Sequence, residues 1–119
     1  MKLVHKSGSL KCYSNAPASY WGCTSVHVYG NNGLLTIITN TKREAVLPSA
    51  GDLKDDHNHF YHLNGITHTS PELVFSDPPN QVLVSSSQEL QIWYGQDLIE
   101  HSEDNNSGIT CVDVYAWYA

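Results

Sequence analysis

The chain contains no apolar run approaching the roughly 20 residues needed to cross a bilayer, so membrane insertion is not expected. Met1 to Leu10 lacks the apolar stretch of a signal peptide, and the sequence reads as the mature form of a soluble protein. Cations are scarce: six Lys plus Arg stand against twelve Asp plus Glu, a net charge of −6. Such a surface repels a phosphate backbone, which argues against nucleic acid as a partner. The sequence has no Cys-x-x-Cys pair, no nucleophile elbow and no phosphate-cradling glycine loop, so no enzymatic activity is expected. Helical periodicity is nearly absent, with Glu44 to Leu47 and Asp97 to Ser102 each long enough for about one turn.

What remains is strand chemistry. At 119 residues and 40% apolar content the chain suits one hydrophobic core, a single domain over 1–119. Runs rich in β-branched and aromatic residues recur at Thr24 to Tyr29, Leu34 to Thr39, His59 to Leu63, Glu72 to Phe75, Gln81 to Ser85, Glu89 to Tyr94 and Ile109 to Tyr118. Turn signals separate them: Gly30-Asn31-Asn32-Gly33, Asn64-Gly65 and Asp77-Pro78-Pro79-Asn80. In the last run Val112 and Val114 fall on one face and Ile109, Cys111 and Tyr115 on the other, which predicts a central strand with both faces covered. The expected fold is all-β, an antiparallel β-sandwich of about eight short strands with little or no helix.

The three cysteines, Cys12, Cys23 and Cys111, fit no zinc module. Their surroundings of Ser, Thr, Asn, Gly and Tyr predict a secreted protein with one disulfide, the pairing left open among the three. The odd thiol left over suits a homodimer, disulfide-linked in one form of it; three reduced, buried cysteines are the alternative.

The segment from Trp93 to Gly108 concentrates oxygen donors between two apolar runs: Gln96, Asp97, Glu100, Glu103, Asp104, Asn105 and Asn106, with His101 among them and no Lys or Arg. Their mutual repulsion is relieved by calcium, which takes six to eight oxygens from carboxylates, amides, carbonyls and water in a tolerant geometry. The EF-hand pattern is absent, and a solvated acidic turn is the alternative on composition alone.

Three stretches, Trp93-Tyr94-Gly95-Gln96-Asp97-Leu98, Glu103-Asp104-Asn105-Asn106-Ser107-Gly108 and Cys111-Val112-Asp113-Val114-Tyr115-Ala116, give this segment a wider meaning. The run resembles extracellular cnidarian proteins that include the galactose-specific lectin of sea anemones, a dimeric β-rich family that binds galactose through calcium. The resemblance implies a calcium-dependent lectin for terminal β-galactose, with partners such as lactose or N-acetyllactosamine. On that basis Asp97, Glu103, Asp104 and Asn105 are the candidate metal ligands. Gln96, Glu100, His101 and Asn106 are candidates to hydrogen-bond the sugar. A flat ring is expected beneath galactose, from Trp93, Tyr94, Trp21 or Tyr20, with Tyr94 preferred. Asn105-Asn106-Ser107 is a glycosylation sequon, expected to stay unmodified because a glycan there would cover the site.

A competing constellation is Asp55-Asp56-His57-Asn58-His59-Phe60-Tyr61-His62. Two histidines and a carboxylate can hold zinc with a water, which makes a small zinc hydrolase using His57, His59 and His62 the alternative. Surface histidines without a metal are the plainer reading, also for His27 and His68. A non-catalytic matrix protein is the third possibility.

Overall fold

A computed structural model describes residues 1–12, 15–23, 33–48, 53, 60–75, 89–98 and 107–115, with the backbone alone described at 96 and 97. Within them the chain runs β1 (Lys2–Lys11), β2 (Gly22–Cys23), β3 (Gly33–Leu34), β4 (Thr36–Thr39), β5 (Ala45–Leu47), β6 (Glu72–Val74), β7 (Gln91–Tyr94), a single helical turn α1 (Gly95–Leu98) and β8 (Ser107–Tyr115). All pairings among these strands are antiparallel. One sheet has the order β6-β1-β8, a second β5-β4-β7, and β2 with β3 forms a short ribbon.

The two three-stranded sheets contribute to one core, which makes the arrangement the expected sandwich. Leu3 and Leu73 come from the first sheet, Ile37, Ile38 and Leu47 from the second, and Trp21, Leu34, Tyr61 and Phe75 fill the remaining space. Each such aliphatic or aromatic side chain contributes about 1.5–3 kcal/mol by leaving water. The polar atoms of the two large aromatic side chains buried here, Trp21 and Tyr61, are satisfied, whereas the Thr110 hydroxyl on β8 is buried without a hydrogen-bond partner among the described residues. The Trp21 indole N–H donates to the Ser70 carbonyl at 2.7 Å, and the Tyr61 hydroxyl donates to the Thr36 carbonyl. Burial pushes the Tyr61 phenol well above its ordinary range. A smaller cluster of Cys12, Ala16, Cys23 and Leu35, with Phe60 and Tyr94 packed against it, holds a disulfide between Cys12 and Cys23, their Cα atoms 5.7 Å apart.

Several elements differ from the sequence reading. The ten residues of β1 hide in Lys-Leu-Val-His-Lys-Ser-Gly-Ser-Leu-Lys, where lysines, serines and Gly8 mask a strand that becomes the centre of its sheet. Glu44 to Leu47 is no helical turn: Ala45–Leu47 pairs with β4, following a hairpin loop. Of His59 to Leu63, residues 60–63 form no strand, and Tyr61 makes only an isolated bridge to Leu34. Among the described residues β8 stands at the end of its sheet, with Ile109, Val114 and Tyr115 exposed, so the central place predicted for it falls to β1. The Asn64-Gly65 turn forms as expected, with Gly65 at φ +77° and the Ile66 amide donating to Leu63. Thr24 to Tyr29, Gln81 to Ser85, Asp77 to Asn80 and the first three residues of Gly30-Asn31-Asn32-Gly33 lie outside the described residues.

Candidate functional site

The acidic segment leaves the second sheet at the end of β7 and rejoins the first sheet at the start of β8, and both attachments are built. At its entrance the Tyr94 hydroxyl donates to the Gly22 carbonyl at 3.2 Å. The buried Gly95 amide donates to the Leu35 carbonyl at 2.7 Å. At its exit Ser107 pairs with Lys11 and Gly108 with Leu10. Gly108 has φ +98°, and a Cβ there would collide with the Ser9 carbonyl oxygen. Across the same ladder Gly8 has φ +81° and faces the Ile109 carbonyl as closely. Two glycines are therefore required for β1 and β8 to approach each other beside the segment.

The disulfide joins these anchors. Cys12 follows Lys11, which holds the exit, and Cys23 follows Gly22, which holds the entrance; Leu35 and Tyr94 pack in the same small cluster. Sequence reading had no access to this relation, because it left the pairing of the cysteines open and singled out neither Gly22 nor Gly95. The only local signal was a glycine beside a cysteine in Trp21-Gly22-Cys23.

The predicted site residues divide as follows. Gln96 and Asp97 lie in α1, directly after the anchored Gly95. Glu100, His101, Glu103, Asp104, Asn105 and Asn106 lie outside the described residues, as do His57 and His59 of the histidine cluster. Tyr94 is half-buried with its hydroxyl engaged. Of the other proposed ring platforms, Trp21 is ruled out, since it is a core residue at 1% exposure. Tyr20 is stacked on the His5 ring at 3.5 Å between centroids, so one of its faces is occupied. Trp93 is half-buried beneath the Arg43 guanidinium. His62 is exposed and meets Phe60 edge-on. The carbonyl of His68 accepts from the Tyr20 amide and the Ser19 hydroxyl, a structural use of that residue. Among the described residues no three His, Cys, Asp or Glu side chains come together to hold a metal ion.

The donor set of the acidic segment itself fits calcium. Asp97, Glu100, Glu103 and Asp104 supply carboxylates, Gln96, Asn105 and Asn106 supply amide oxygens, and no thiolate lies among them, the preference of a hard cation.

No protein-family model matches the chain, and no curated protein matches it. Among solved structures it is similar to AJLec from the sea anemone Anthopleura japonica, with a TM-score of 0.82 and 32% sequence identity over 94% of this chain and 74% of that one. Identity of that level across nearly the whole sequence, on the same fold, means that the chain belongs to the sea anemone lectin family of AJLec.

Proposed function

We propose that the protein is a secreted, calcium-dependent lectin that binds terminal β-galactose. The observation that carries this reading is the match to a sea anemone lectin over 94% of the chain. The acidic donor segment, anchored at both ends on one disulfide-bonded cluster, agrees with it. Asp97, Glu103, Asp104 and Asn105 hold the cation. Bound there, calcium would supply coordination positions for the vicinal 3-OH and 4-OH of galactose. Gln96, Glu100, His101 and Asn106 take the remaining hydroxyls as hydrogen-bond partners, and their acceptor oxygens orient the hydroxyl protons. The anchors set by Gly95 and Gly108 hold the ends of the segment before ligand arrives, which lowers the ordering cost of binding.

The disulfide suits an oxidising compartment, in keeping with secretion. In the homodimer proposed here, the outer face of the β6-β1-β8 sheet is the surface best suited to meet a second copy. There the free, exposed Cys111 lies on β8 in line with Asp113 and the exposed Tyr115. The pairs Lys2 with Glu72 at 3.4 Å and Lys6 with Asp113 at 3.7 Å neutralise this face, so two copies of an acidic chain meet there without net repulsion. Paired sites raise avidity for clustered glycans.

Calorimetric titration tests the site: calcium first, then galactose into the calcium-loaded protein. Asp97→Asn and Asp104→Asn should each weaken both binding steps by about tenfold or more, a loss of roughly 1.4 kcal/mol. Undiminished calcium and galactose binding in both variants would refute the ligand assignment.

A further inference from the structure

Arg43 is the single arginine of the sequence, and its setting is unusual. Asn40 and Glu44 close a three-residue hairpin loop between β4 and β5: the Asn40 amide donates to the Glu44 carbonyl at 3.1 Å and the Arg43 amide to the Asn40 carbonyl at 3.2 Å. The Asn40 side-chain oxygen accepts from the Lys42 and Glu44 amides, which fixes the loop. The last position of such a loop is left-handed and is normally glycine. Arg43 occupies it at φ 63°.

From there the guanidinium lies over the Trp93 ring, 4.8 Å from its centroid. The ring is itself held, since the Trp93 indole N–H donates to the Gln91 side-chain oxygen at 3.1 Å and the Gln91 amide donates to the Glu89 carboxylate at 3.2 Å. The stacking contact returns about as much as the left-handed backbone costs, so net stability does not explain an arginine here. Among the described residues no carboxylate lies within ion-pair distance of the guanidinium, although the chain is strongly acidic. The Trp93 indole holds the guanidinium in place by a cation–π contact. Arg43 is exposed, and a guanidinium is a fork suited to bidentate contact with a planar or tetrahedral oxyanion.

We propose that Arg43, seated on Trp93, is a second subsite that binds an oxyanion substituent, sulfate or carboxylate, on the glycan whose galactose is held at the acidic segment. The inference rests on the lectin reading above. Trp93 and Asp97 are four residues apart, so their Cα atoms are separated by at most about 14 Å, which an oligosaccharide of a few sugars spans. In a chain of net charge −6, this fork gives a built point of attraction for anionic glycans.

The test compares three probes by calorimetry in millimolar calcium: lactose, lactose sulfated at the galactose 6-position, and a galactose-terminated disaccharide whose second residue is glucuronic acid. All keep the galactose 3-OH and 4-OH free. The wild-type protein should bind at least one anionic probe about three- to tenfold tighter than lactose, and which one identifies the oxyanion. That ratio should fall to about one in Arg43→Gln and Arg43→Gly and shrink in high salt. Arg43→Gly suits the left-handed backbone and guards against a folding defect in the first variant. A ratio of one in the wild type, or a ratio retained in both variants, would overturn the subsite while leaving the galactose reading intact. Failure to bind any of the three probes would overturn both.

Discussion

The Tyr94 hydroxyl donates to the Gly22 carbonyl at 3.2 Å, one residue before Cys23. Through this contact the strand that enters the acidic segment is fastened to the disulfide whose other half, Cys12, follows the residue that holds the exit. The disulfide thus works as a clamp for the two ends of the proposed site.

Replacing Cys12 and Cys23 together by serine should lower stability by about 2–4 kcal/mol, the range for a cross-link closing a loop of this size. A urea unfolding curve should show the midpoint falling, with calcium affinity falling alongside it. A stable double variant with unchanged calcium affinity would mean that the clamp does not serve the site.

Gly8 and Gly108 face each other's strands at positive φ, with no room for a Cβ at either. Alanine at either position should cost more than about 1 kcal/mol, because both the backbone conformation and the cross-strand approach are lost. Thermal unfolding of Gly108→Ala, beside the exit of the acidic segment, should show the drop. By contrast Gly65→Ala meets open space, and only its φ of +77° counts against it.

Tyr61 is buried and its phenol is raised above the ordinary value of 10.0 by desolvation. Above that pH the unfolded chain releases this proton while the folded one keeps it, so the unfolded state binds fewer protons and stability falls as pH rises. Stability should be insensitive to this group below pH 10 and decline above it. The decline should be smaller in Tyr61→Phe, which itself loses a buried hydrogen bond worth about 1 kcal/mol. Denaturant midpoints measured from pH 8 to pH 11 check both points.

Much of the fold was legible because runs of β-branched and aromatic residues announce themselves by composition: Leu34 to Thr39, buried throughout, supplies the end of β3 and all of β4, and the Gln91 to Tyr94 part of the Glu89 to Tyr94 run became β7. The run at Lys2 to Lys11 was not legible. Its solvent face carries lysine and serine, and Gly8 serves a close strand approach that only pairing with β8 makes necessary. The acidic segment was visible as chemistry, since charge density needs no tertiary contact to be seen. Its anchoring was not, because the Tyr94 to Gly22 contact joins residues 72 apart in sequence. Arg43 likewise gains meaning only when a hairpin loop brings it over a tryptophan on another strand.

The central claim is that this family member binds galactose through calcium. Retention on immobilised galactose in millimolar calcium, with immobilised mannose as control, tests it most directly. The account predicts selective retention on galactose, released separately by EDTA and by free galactose. Passage through the galactose column in calcium, or retention that EDTA leaves untouched, would contradict it.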